Sequence, residues 1–131
     1  MKEVLDFLKE CGIYYLATEE EDQPRVRPFG TAEVFENHLY ILTGKKKNVS
    51  KQIEANPKVE ICAVNANGKW IRISGNLVRD DRVEAKKYML DQNPSLRSMY
   101  DENDDNTEVL YFEHGEAIIS SFTEEPIIVK F

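Results

Sequence analysis

Turn-forming residues cut this chain into short pieces, and no apolar run exceeds about six residues. The clearest case lies between residues 58 and 78. Residues 58–65 read as a strand, Ala66-Asn67-Gly68 as a tight turn, and residues 69–78 as the strand that returns. Within the second strand Ile71 and Ile73 face one way, as core positions do, while Trp70, Arg72 and Ser74 face the other. A chain of such pieces is expected to bury one face of a sheet of short antiparallel strands.

The rest of the chain fits that frame. Val4, Leu5, Leu8 and Cys11 recur at helical spacing, and Gly12 is a natural C-terminal stop. Residues 13–18 read as a strand, a charged turn follows, and a second strand is expected over 25–35. Glu36-Asn37-His38 turns the chain back into a strand at 39–43. Asn48 is placed to cap a short helix carrying Val49, Gln52 and Ile53, which Asn56-Pro57 ends. Asp80-Asp81 is placed to cap another, holding Val83, Lys87, Tyr88 and Leu90. Residues 95–100 add a helical turn, residues 101–106 form a polar acidic loop, and strands at 109–112, 117–122 and 127–131 close the chain. The expectation is one domain over residues 1–131: a mostly β, six- to seven-stranded antiparallel barrel with two to three helices.

Composition narrows the functions available. At 131 residues with 41% apolar and 31% charged content, the chain suits one folded domain that gains from pairing with a second copy. A net charge of −7 disfavours nucleic acid, and the short apolar runs disfavour a membrane span. The N-terminus enters an amphipathic pattern with no apolar signal core, so a cytoplasmic location is expected. Cys11 and Cys62 lack metal or redox spacing and are expected to be buried thiols. His38 and His114 are expected in loops, and no metal site is expected.

Two segments resist the acidic trend: Pro24-Arg25-Val26-Arg27-Pro28-Phe29-Gly30 and Leu39-Tyr40-Ile41-Leu42-Thr43-Gly44-Lys45-Lys46-Lys47-Asn48. In a strand Arg25, Arg27 and Phe29 share one face, where two arginines repel unless a carboxylate or a bound anion separates them. Pro28 has no N–H, so the strand is expected to be an edge or irregular at that point. Lys45, Lys46 and Lys47 stand at the positive end of a helix dipole, which disfavours cations and attracts phosphate. A solvated lysine loop and a salt-bridged arginine face are the structural alternatives to a phosphate site. Thr43 adds a hydroxyl at the same strand end. Trp70 beside Arg72 suits either a subunit contact or a wall against an aromatic ligand.

The ordered set of a helix, a Tyr-Tyr-Leu-Ala-Thr strand, a Pro-Arg-Val-Arg-Pro-Phe strand, a Leu-Tyr-Ile-Leu-Thr-Gly-Lys-Lys-Lys-Asn loop and a Trp-Ile-Arg-Ile-Ser-Gly strand resembles the pyridoxamine 5'-phosphate oxidase-like family of FMN-binding split barrels. The resemblance implies a homodimer with FMN in clefts between the subunits. It implies cofactor contacts from Arg25, Val26, Arg27, Pro28 and Phe29, from Thr43, and from Lys46, Lys47 and Asn48. Trp70 stands where the parent oxidases carry a flavin-contacting glutamine, and Tyr111 and Phe112 fall near a partner's flavin. The chain's end lacks the Arg-containing segment that grips pyridoxal phosphate, so pyridoxamine phosphate is not the expected substrate. The expected function is an FMN-dependent oxidoreductase passing electrons from NADH or NADPH to a small quinone-like, nitro or cofactor-like acceptor. The alternatives are a non-catalytic flavin-binding or sensing module, and a split barrel holding haem or another anionic ligand.

Overall fold

The computed structural model describes residues 1–131. Helix α1 (Lys2–Cys11) buries Val4, Phe7 and Leu8 on one face and ends at Gly12, whose φ of 78° favours glycine. Strands β1 (Tyr14–Glu20) and β2 (Gln23–Phe29) form a hairpin, followed by a second hairpin of β3 (Ala32–Phe35) and β4 (His38–Gly44). The single strand expected over 25–35 is therefore two. The chain leaves β1 after Phe29, and β3 pairs with β4 on the far side of the sheet. Helix α2 (Asn48–Ala55) leads to the hairpin of β5 (Lys58–Val64) and β6 (Trp70–Asp80). Helix α3 (Val83–Gln92) and a 3₁₀ turn (Pro94–Ser98) precede β7 (Thr107–Ser120) and β8 (Ile127–Lys130).

The eight strands are antiparallel, in the order β2-β1-β5-β6-β7-β4-β3, with β8 added against the second half of β7. The sheet does not close, because β2 and β3 are both edges, and this opening is the split of the barrel. Eight strands replace the six or seven expected. Strands expected separately at 109–112 and 117–122 are one long strand, β7, which passes His114 at a φ of 54° instead of breaking there.

Alternation fixes the core. On β5, Val59, Ile61 and Ala63 point in; on β6, Ile71 and Ile73 do, as the spacing predicts. These pack with Val4, Leu8, Tyr14, Leu16, Leu39, Ile41, Val49, Ile53 and Phe112. A smaller cluster of Tyr40, Leu42, Ala85, Met89, Leu90, Tyr100 and Val109 lies under α3. Cys62 is not buried: it is an outward position on β5, exposed between Glu60 and Val64. Cys11 is half-buried at the end of α1. His38 opens β4 and packs its ring on Tyr111 at 4.6 Å.

Two helix caps differ from expectation. Lys47 occupies the N-cap position of α2 in extended conformation and Asn48 is the first helical residue, with no side-chain cap. Arg82 holds the N-cap of α3, because Asp80 still belongs to β6 and turns its carboxylate back onto Arg82. No helix is long and apolar enough to cross a membrane.

Candidate functional site

Strand β2 is an edge, and its inward face carries Arg25, Arg27 and Phe29 opposite Thr18, Leu16 and Tyr14 of β1. Phe29 packs on Tyr14 with ring centroids 5.9 Å apart and anchors the strand to the core. The two arginines lie further along, where the core ends and α2 covers the sheet. Their surroundings differ. Arg25 donates from Nε and Nη2 to Glu20 Oε1 at 3.1 and 2.9 Å. Arg27 meets no carboxylate: it donates to the Leu16 carbonyl, Thr18 Oγ1 and Gln52 Oε1. All three acceptors are neutral, so they fix the guanidinium in place and leave its charge uncompensated. Burial first, and then the charge of Arg25, push the Arg27 pKa below its ordinary value, with Glu20 partly opposing. An arginine stays protonated despite such a push.

The second cation comes from the loop before α2. That loop is pinned by the acidic segment, since Lys45 N–H donates to the Asn106 carbonyl and Lys46 N–H to Asn106 Oδ1. Gly44 admits this contact: a Cβ there would stand 3.1 Å from Asn106 Nδ2. The pinning separates the three lysines. Lys45 pairs with Asp81 at 3.5 Å. Lys46 is exposed and borders neither lobe of the groove, so its side chain is not brought to the other site residues. Lys47 has no ion-pair partner and lines both lobes of a groove.

One lobe, a cleft of about 530 Å³, is bordered by Glu20, Arg25, Val26, Arg27, Lys47 and Asn48. The start of α2 opens onto it with no side-chain cap and no acidic residue in its first turn. Uncapped helix amides, an unpaired lysine and an arginine with neutral partners together make an anion site. The second lobe, about 160 Å³, lies in the split of the barrel between Pro28 and Phe29 of β2 and Leu42 and Thr43 of β4. Thr43 Oγ1 is buried there and makes no hydrogen bond. A phosphate in the first lobe with a flat, apolar body leading into the second fits this chemistry. Another cavity of about 420 Å³, between α2, β6 and β7, is unsuited to phosphate, because Glu54, Glu108 and Glu113 face Arg79 alone.

Nine of the ten residues that the sequence singles out lie on this groove or its loop, Lys46 by backbone only. Trp70 does not join them. It stands on the outer face of β6, its ring 5.1 Å from that of Phe122. Largely exposed apolar side chains share that outer side of the sheet, among them Tyr15, Val26, Val64 and Ile128. Sequence reasoning missed Thr18 and Gln52, which hold Arg27, and Asn106, which pins the lysine loop. The alternation of β1 places Thr18 on the core face, a hydroxyl among apolar neighbours, and that was the available signal. Nothing local marks Asn106.

A family model described as pyridoxamine 5'-phosphate oxidase matches residues 1–113. The chain belongs to the pyridoxamine 5'-phosphate oxidase-like family. A NimC/NimA family protein from Clostridium acetobutylicum is 49% identical, with a TM-score of 0.98 over 100% of this chain and 92% of that one. A pyridoxamine 5'-phosphate oxidase-related, FMN-binding protein from Nostoc punctiforme has a TM-score of 0.64 at 16% identity, covering 98% of this chain and 90% of that one. A heme-binding protein from Mycobacterium smegmatis has a TM-score of 0.73 at 11% identity, covering 92% of this chain and 53% of that one. Among curated proteins none matches the chain in sequence. Proteins of this fold thus include one described as FMN-binding and one described as heme-binding.

Proposed function

We propose that this chain binds FMN and works as an FMN-dependent oxidoreductase on a small organic acceptor, with NADH or NADPH as donor. The observation that carries the reading is the surplus of positive charge in the cleft: Arg27 has only neutral partners and Lys47 has none. The Asn48 end of α2 adds amide donors to the same place. Arg25 reaches a phosphate by turning from Glu20, and Val26 and Pro28 supply edge-strand backbone along the groove. Phe29, Leu42 and Thr43 border the position for the ring, with the unpartnered Thr43 hydroxyl available to a heterocycle edge. Haem fits less well, because neither His38 nor His114 lines the groove.

When bound, the flavin supplies hydride and electron transfer. The protein's part is to hold the phosphate on Arg27, Lys47 and the start of α2, and to keep the ring in the split between β2 and β4. The outer sheet face bearing Trp70 and its apolar neighbours is the proposed surface for a second copy, giving a homodimer in which each groove is completed by the other subunit.

Two measurements test this. Heat-released supernatant from purified protein, or protein soaked with FMN and desalted, is expected to show flavin absorbance at one FMN per chain. Reconstituted protein is then expected to oxidise NADH or NADPH when offered quinone and nitro-aromatic acceptors. Stoichiometric FMN without turnover would leave a binding module and remove the oxidoreductase. A Soret band in place of flavin would remove FMN.

A further inference from the structure

We propose that Glu20 is a built-in competitor for the phosphate position, a carboxylate that holds the anion site until a phosphate monoester displaces it. This rests on the cleft being the phosphate site. Three donors converge on the one side chain: Arg25 Nε and Nη2 on Oε1 at 3.1 and 2.9 Å, and Gln52 Nε2 on Oε2 at 3.3 Å. Glu20 itself borders the cleft, among Arg25, Arg27, Lys47 and Asn48. It is the single carboxylate there.

The donors are aimed independently of Glu20. Gln52 Oε1 is already committed, accepting from Thr18 Oγ1 at 2.6 Å and from Arg27 Nη2 at 2.5 Å. Its Nε2 is therefore left facing the cleft whichever anion is there. Arg25 offers a planar fork that accepts a carboxylate or a phosphate equally. A carboxylate brings two oxygens and one charge, whereas a phosphate monoester brings three free oxygens and nearly two charges. The extra acceptors can also engage Lys47, the free N–H groups of Arg27 and the opening amides of α2, none of which Glu20 engages. Glu20 and Arg25 are each about half exposed, at 47% and 50% of the side chain, and ion pairs so placed are weak and easily exchanged.

Displacement does not remove Glu20. It stays tethered at the end of β1, beside the incoming phosphate, and repels it. Glu20 thus sets the affinity of the site below what its cations alone would give, and makes its ligand exchangeable. The ligand class is a phosphate monoester.

The test compares wild type, Glu20→Gln and, as a neighbouring control outside the cleft, Glu19→Gln. Each is titrated with FMN by flavin fluorescence and with inorganic phosphate by the amide NMR shifts of Asn48 and Gln52. Glu20→Gln is expected to bind both probes about tenfold more tightly, a modest charge effect at an exposed site; Glu19→Gln is expected to match wild type. Wild type that binds FMN while Glu20→Gln binds it no better would overturn the proposal and leave the FMN reading standing. If neither protein binds FMN but Glu20→Gln gains inorganic phosphate at Asn48 and Gln52, the FMN reading falls and the competitor stands. If Glu20→Gln gains neither probe, the competitor falls whatever wild type does.

Discussion

Of the places where arginines meet carboxylates in this molecule, two are built in opposite ways. At the junction of β6 and α3, Arg82 bonds Asp80 and Glu36 together, and Tyr40 donates to Asp80 Oδ2 at 2.7 Å. There one cation serves two carboxylates, so the cluster carries a charge of about −1 and has no unused cation. At the β2–α2 cleft only Arg25 pairs with Glu20, and Arg27 and Lys47 leave about two positive charges over. The first arrangement is complete without a ligand. The second asks for one.

The largest expected effect breaks the comparison at the cleft. Arg27→Ala combined with Lys47→Ala is expected to weaken FMN binding by about a hundredfold or more, since two charge-assisted contacts go together. The oligomeric state should hold and the melting temperature should fall modestly, because Leu16, Thr18 and Gln52 lose the Arg27 donor; an unchanged FMN affinity would place the site elsewhere.

Asp80→Ala works in the opposite sense. It strips the partner from the buried Tyr40 hydroxyl and from Arg82, and should cost about 2 kcal/mol of stability, seen as a fall of several degrees in Tm, with FMN affinity unchanged. The same carboxylate gives a pH signature. Burial raises the Asp80 pKa, but hydrogen bonds from Arg82 and Tyr40 outweigh it and hold the pKa below the ordinary value. A pKa depressed in the folded state contributes stability above the unfolded value, about 3.9, and loses it as pH falls through the folded one. Urea unfolding below about pH 4 should therefore show a shallower loss in Asp80→Asn than in wild type.

The smallest effect concerns Lys46. Its side chain lies outside the groove, so Lys46→Ala should change FMN affinity by no more than about twofold, the scale of screened surface charge. A loss as large as that of Lys47→Ala would mean that the loop rearranges on binding.

Much of this was legible in the chain. Alternation assigned the faces of β5 and β6 correctly, and put Arg25, Arg27 and Phe29 on one side of β2. Pro28 left that strand either an edge or irregular, and it is an edge. The salt-bridged alternative held for Arg25 and failed for Arg27, a distinction that depends on which partner Glu20 reaches across the hairpin. Spacing cannot supply that. The division of 25–35 into β2 and β3 was hidden because Gly30-Thr31 is a crossing between opposite edges, and its cause is long-range pairing with β4. The role of Asn106 was hidden for the same reason, since it acts on residues some sixty positions away. Trp70 was correctly turned from the core, and it lies outside the groove.

The surplus charge at Arg27 and Lys47 should be felt most strongly by a ligand's phosphate. The most direct measurement is a paired fluorescence titration of the protein with FMN and with riboflavin, which share a ring and differ by the phosphate. FMN is expected to bind about a hundredfold more tightly than riboflavin, with the gap narrowing sharply as salt rises. Equal affinities for the two flavins would contradict the account.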